Sequence, residues 1–190
     1  STRVRSSAAS DVYKRQLIIV DAQNDFITRA LGTKEADAAV PNIVDLIKRF
    51  CWEEIICTMD THDDDYFDTL EGKKLPVKHC IKASVGWCMD SRVVIALNNK
   101  FNYYEKDTFG STDMVNEVYD SLKMKNPEEV EIHICGFCTD ICVMANAVML
   151  RAALPNTRII VHSSACAGVT PESHEAALTI FKAQQIDVED

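Results

Sequence analysis

Apolar residues along this chain fall into two alternating patterns. Short β-rich runs at Leu17–Val20, Ile55–Met59, Val130–Cys135 and Arg158–Val161 are too brief for helices and read as buried strands. Phe101–Tyr104 is a shorter run of the same kind, and Ile186–Val188 reads as a last edge strand. Between these runs the apolar positions recur at helical spacing. Ala39–Phe50 has Pro41 near its expected first turn and carries Ile43, Val44, Leu46 and Ile47. Ser91–Asn98 predicts a short helix, and Asp113–Met124 repeats Val115, Val118 and Leu122. Cys142–Ala153 is apolar almost all round and is expected to be buried. Pro171–Gln185 opens with Thr170 as cap and Pro171 at the first helical position. Strands alternating with helices predict an α/β fold: three α/β/α layers around a mostly parallel, Rossmann-like sheet.

Ligands in such folds bind beyond the carboxyl ends of the strands. Asp21 ends the first run, Asp60 the second, Lys106 shortly follows the third and Cys142 follows the fourth. Taken singly, each has an ordinary role as turn residue, solvated charge or small hydrophobe. Together at one sheet edge they suggest an active site. A thiol near a helix N-terminus feels the positive end of the helix dipole, which favours thiolate. A neighbouring ammonium (Lys106) would assist, and a carboxylate (Asp21) could accept the proton and pass it to a departing amine.

A second group lies in Asp60-Thr61-His62, with Glu71 and His79 further on. Asp-x-His at a strand end turns both side chains to one side. Imidazole and carboxylate suit zinc, iron or manganese. Asp63, Asp64, Asp65 and Asp68 crowd the same loop, so spacing alone leaves the acid ligand open. Phe26, Phe137 and Trp87 are candidates for core or pocket lining. His133, His162 and His174 carry no assigned chemistry.

Composition narrows the classes. The 190 residues can hold one domain with a real core, and 47% hydrophobic with 26% charged is a globular balance. A net charge of −9 argues against nucleic acid, and no apolar run approaches the roughly 20 residues that span a bilayer. The eight cysteines sit mostly within apolar runs, which suggests free thiols in a reducing cytoplasm. Cys135-x-x-Cys138 leaves a thiol redox protein as a rival, although Cys138 precedes the expected helix rather than opening it. The stretch Ser6–Gln16 matches an in-frame translation of a transposase sequencing adaptor. Residues 1–16 are therefore expected to be a non-native leader, with a single domain over 17–190. Four basic residues and one acid give that leader a net +3, leaving −12 on the remainder. Glycine-rich phosphate loops, the Gly-x-Ser-x-Gly elbow and paired Cys-x-x-Cys units are absent.

Three motifs, in order, resemble the isochorismatase-like cysteine hydrolase superfamily. They are Asp21-Ala22-Gln23-Asn24-Asp25-Phe26, Lys106-Asp107-Thr108-Phe109, and Gly136-Phe137-Cys138-Thr139-Asp140-Ile141-Cys142-Val143. The resemblance covers Leu17 to the C-terminus and implies a catalytic set of Asp21, Lys106 and Cys142. It also implies an oxyanion site of the Cys138 and Cys142 backbone N–H groups, and a cis peptide before Cys138. Asp60, His62 and His79, with Glu71 similarly placed, resemble the metal set of the nicotinamidase branch. That branch implies a divalent metal, with zinc first and iron or manganese as alternatives, and a small-molecule amide substrate. Isochorismate or ureido-amide hydrolysis is the alternative within the superfamily. Relatives are often homo-oligomers, which an exposed apolar helix face would allow. The branch commonly places an aromatic just before the last metal histidine; here that stretch is Leu75-Pro76-Val77-Lys78. Trp87 is the candidate to replace it from another direction.

Overall fold

The computed structural model describes residues 14–190. Its elements run β1 (Lys14–Val20), α1 (Asn24–Ile27), α2 (Lys34–Arg49), β2 (Glu54–Asp60), α3 (Leu70–Lys74), α4 (Ser91–Leu97) and β3 (Asn102–Lys106). Then follow α5 (Thr112–Leu122), β4 (Val130–Phe137), α6 (Met144–Ala153), β5 (Arg158–Ala167), α7 (Pro171–Ala183) and β6 (Asp187–Glu189). The six strands form one parallel sheet in the order β3-β2-β1-β4-β5-β6, in the expected α/β/α arrangement. From β1 the chain winds outward to β3; from β4 it winds the other way to β6. The strand order thus reverses between β1 and β4, where a crevice opens at the carboxyl ends. Asp21 follows one of these strands and Cys142 the other.

The central strands β1 and β4 are the most buried, with Leu17–Val20, Ile132, Ile134 and Cys135 fully covered. Helices α2 and α4 pack together, as do α5 and α6. No helix among the described residues is long and apolar enough to cross a membrane.

Several boundaries differ from the sequence expectation. Strand β1 begins at Lys14, so residues 14–16 of the expected leader pair with Val130, Glu131 and Ile132 of β4. The charges of the first two are met at the strand entrance: Lys14 by Glu53 at 2.6 Å, and Arg15 by Glu131 at 3.1 Å and the Phe50 ring. An apolar pattern cannot see such a strand end. The rest of that expected leader, 1–13, lies outside the described residues. Pro41 sits well inside α2, not in its first turn. The helix instead starts at Thr33, whose side chain accepts from Ala36 N–H at 3.0 Å. Its polar first turn buries only Ala36 and so hides from a hydrophobic reading. Cys142 lies in a wide π-type turn, Thr139–Val143, that precedes α6. Only Asn146, Ala147 and Leu150 of α6 are buried; Ala145, Val148 and Met149 are half-exposed.

Gly136 sets the approach of the two central strands. Its φ is +121°, and a Cβ there would meet the Val20 carbonyl oxygen at 2.0 Å. Gly136→Ala is therefore expected to lower stability by about 3 kcal/mol, combining backbone strain with overpacking. Urea unfolding checks this: the midpoint should fall with the slope unchanged. A midpoint equal to the parent's would mean that the strands can separate freely here.

Candidate active site

The four strand-end residues do meet. Asp60 and Lys106 are register partners at the ends of β2 and β3. Asp21, in a left-handed conformation (φ 48°), turns its carboxylate back over the sheet. Its Oδ1 accepts from Thr58 Oγ1 at 2.7 Å, and its Oδ2 lies 2.7 Å from Lys106 Nζ. The same ammonium is 3.4 Å from Asp60 Oδ1 and 3.7 Å from Cys142 Sγ. All four side chains are buried. The peptide bond between Phe137 and Cys138 is cis.

Burial sets the proton affinities. It pushes the Asp21 carboxyl up, aided by the charge of Asp60 and opposed by Lys106 and Thr58. Burial and then the charge of Asp21 push the Cys142 thiol well above its ordinary range, with Lys106 opposing. The thiolate expected from a helix dipole is therefore not the favoured form. The thiol sits in a π-type turn beside a carboxylate, where desolvation outweighs the dipole. Burial opposes a charge on Lys106, but Asp21, Cys142 and Asp60 more than offset it and raise its pKa.

The second group also assembles. Asp60 Oδ2 lies 3.0 Å from His62 Nε2 and 3.3 Å from His79 Nε2. Glu71 Oε1 is 3.5 Å from His79 Nε2 and 3.9 Å from His62 Nε2. Glu71 is thus the acid that reaches the histidines, while Asp63, Asp64, Asp65 and Asp68 are exposed. His79 Nδ1 faces the Val77 carbonyl at 2.9 Å, which makes it the donor and turns Nε2 toward Asp60 and Glu71. Asp60 Oδ2 and His62 Nε2 are buried without a hydrogen-bond partner although they face each other. An unpartnered imidazole nitrogen facing an unpartnered carboxylate oxygen fits a divalent cation, and Asp60, His62 and His79 lie close enough to share one. Burial opposes a charge on His79, yet Asp60, Glu71 and Val77 push its pKa up to about 10. The spot where these groups meet favours positive charge.

A cavity of about 300 Å³ opens onto both groups, lined by Cys142 and Cys138 on one side and Asp60, Glu71 and His79 on the other. Phe26 and Phe137 line it as expected. Trp87 does not: its indole N–H donates to Thr61 Oγ1 at 2.8 Å, and that half-buried ring needs its partner. The remaining wall includes Leu75, Ile141 and Phe109, so Leu75 stands near the place of the missing aromatic while Phe109 adds a ring from the lysine motif.

Some supporting residues carried no signal in the apolar pattern. Gln23 Nε2 donates to the carbonyls of Asp60 (2.8 Å) and Trp87 (2.9 Å), and its Oε1 accepts from Asp60 N–H. Tyr66, fully buried, packs edge-on against His62 and donates to the Leu75 carbonyl. The histidines without assigned chemistry stay outside the cavity. His133 and His162 stack 5.1 Å apart within the sheet, and His174 bonds Thr139. The redox rival fares poorly: Cys135 is fully buried near Cys57 and Cys166, whereas Cys138 borders the cavity, and both are free.

Known proteins share this architecture. An uncharacterized isochorismatase family protein PncA of Bacillus subtilis is 31% identical over 182 residues, covering 88% of this chain and 94% of the relative. Nicotinamidase of Schizosaccharomyces pombe is 26% identical over 204 residues, covering 90% and 91%. The crystal structure of nicotinamidase/pyrazinamidase PncA from Bacillus subtilis superposes with a TM-score of 0.79 at 28% identity, covering 93% of this chain and 100% of that one. Residues 15–190 match the isochorismatase domain, and the chain belongs to that family.

Proposed function

We propose that this chain is a cysteine amidohydrolase of nicotinamidase type, converting nicotinamide and water to nicotinate and ammonia. The observation that carries this reading is the one cavity shared by the Cys142 nucleophile and the Asp60–Glu71–His79 face. The likeness to a nicotinamidase/pyrazinamidase structure supports it. At about 300 Å³ the cavity suits a small ring, and its aromatic and aliphatic walls suit a flat one. Isochorismate and ureidoacrylate carry carboxylates, and no arginine or lysine lines the cavity among the described residues. A neutral carboxamide is the better fit.

In the mechanism, Asp21 takes the Cys142 proton as Sγ attacks the amide carbon, and Lys106 stabilises the developing thiolate. Backbone N–H groups of Cys138 and Cys142 hold the oxyanion, a contribution of about 3 kcal/mol per donor. Asp21 returns the proton to the nitrogen, the C–N bond breaks and ammonia leaves a thioester. Asp21 then deprotonates water, which attacks the thioester; nicotinate leaves and the thiol is restored. Asp60, His62, Glu71 and His79 would hold a divalent ion, zinc by donor set, which supplies a Lewis-acid point for the ring nitrogen or for water.

Ammonia release from nicotinamide, pyrazinamide and ureido amides tests the reaction. The carboxamides should turn over, and Cys142→Ala should lower the rate at least about a thousandfold. Turnover that survives this change removes the thioester mechanism. Elemental analysis should find stoichiometric divalent metal, lost with His62→Ala or His79→Ala; a metal-free active enzyme would remove the metal from the scheme.

Asp21→Asn should separate two roles of that carboxylate. Its charge raises the Cys142 pKa, so its removal should lower that pKa and speed alkylation by iodoacetamide at neutral pH. Hydrolysis should fall by about a hundredfold or more because the proton carrier is gone. Parallel losses of alkylation and hydrolysis would show that Asp21 only holds the site together.

A further inference from the structure

Asn146 lies on α6, one turn beyond the nucleophile, and is fully buried. Its side-chain amide uses every group it has. Nδ2 donates to the Cys142 carbonyl at 2.8 Å and to the Phe109 carbonyl at 3.2 Å, while Oδ1 accepts from Ser111 N–H at 2.9 Å. Two carbonyls and one N–H fix which end of the amide is which. The residues it grips belong to two separate parts of the site. Cys142 is in the π-type turn; Phe109 and Ser111 lie in the loop between Lys106 and α5. Ser111 also caps α5 by accepting from Met114 N–H at 3.2 Å. Between them Gly110 lets the loop press onto α6, since a Cβ there would meet Met149 Sδ at 2.5 Å. The loop's backbone is therefore fixed against the nucleophile's helix, while the Phe109 side chain reaches out to wall the cavity.

We propose that Asn146 is a positioning residue that locks the Phe109 wall to the nucleophile turn, and so sets the preference of the cavity for flat rings over open-chain amides. This rests on the amidohydrolase reading of the same site. A buried primary amide is tolerated only when its groups are bonded. Here the bonds tie together two separate parts of the cavity lining, Cys142 and Phe109. A leucine of similar size would fill the space and keep the helix, but would release both carbonyls and the Ser111 N–H.

The test compares wild type, Asn146→Leu, Phe109→Ala and the double variant. Two ratios are measured: kcat/KM for nicotinamide over propionamide, and the Cys142 alkylation rate by N-phenyliodoacetamide over iodoacetamide. Each single variant should lower both ratios about tenfold, and the double variant should lose little more than either single. Thermal unfolding of each variant is recorded alongside. A lower Tm with unchanged ratios would make Asn146 merely structural and overturn the proposal. So would losses that multiply in the double variant, because the two residues would then act independently. Should Asn146→Leu fail to fold, Asn146→Ser can donate to one of the two carbonyls and is expected to lose about threefold; unchanged ratios would again overturn the proposal. Should wild type hydrolyse no amide, the amidohydrolase reading fails, while the alkylation ratio still decides the role of Asn146.

Discussion

The site is organised around one buried ammonium. Lys106 reaches a position with almost no solvent contact, where an isolated charge would be strongly unfavourable. Asp21 at 2.7 Å, Asp60 at 3.4 Å and the Cys142 sulfur at 3.7 Å surround it. Loss of one partner from such a cluster costs about 3–5 kcal/mol, because the remaining charges stay buried and uncompensated. Each neighbour therefore has a structural reason to be where the chemistry wants it. The arrangement also explains why the strands end together. Asp60 and Lys106 are paired residues on β2 and β3, while Asp21 and Cys142 follow β1 and β4 across the reversal in strand order.

Much of this was legible in the sequence because it depended on short-range pattern. Apolar runs of β-type residues marked the strands, and a chemically capable residue at each strand end marked the catalytic edge. The motifs then gave Asp21, Lys106 and Cys142 the roles proposed for them. What escaped was satisfied by long-range polar contact. Lys14 and Arg15 complete β1 only because Glu53 and Glu131 wait at the sheet end. Glu71 could be told from the nearby aspartates only once α3 carried it toward the histidines. Trp87 was drawn away from the cavity by a hydrogen bond to Thr61, and Phe109 entered it from a loop read for its lysine alone. Asn146 carries no signal in the apolar pattern of its helix, and its value appears only where three backbone groups converge on it.

The thiol shows how burial can reverse a local argument. A helix N-terminus favours thiolate by a fraction of a kcal/mol to about 2 kcal/mol. Near-complete burial beside a carboxylate works in the other direction and outweighs it. In the proposed amide cleavage, a protonated nucleophile next to a base is a coherent resting arrangement. The proton that must reach the departing nitrogen is then already in the site, on the sulfur, one transfer away from Asp21.

The two carboxylates divide the electrostatic work. Burial pushes both upward, but their neighbours differ. Asp60 faces His62, His79 and Lys106, which together hold its carboxyl well below the ordinary range. Asp21 has Lys106 and Thr58 against it, but the nearby charge of Asp60 helps to keep it raised. Carboxyl groups whose environments push them apart separate into a fixed charge and a proton carrier. Asp60 is the fixed charge: one oxygen faces Lys106 and the other faces the two histidines, so a single side chain joins the catalytic cluster to the metal-type donor set. In the proposed mechanism Asp21 is the carrier. The carrier role depends on the fixed charge, since the anion on Asp60 helps burial to raise the proton affinity of Asp21.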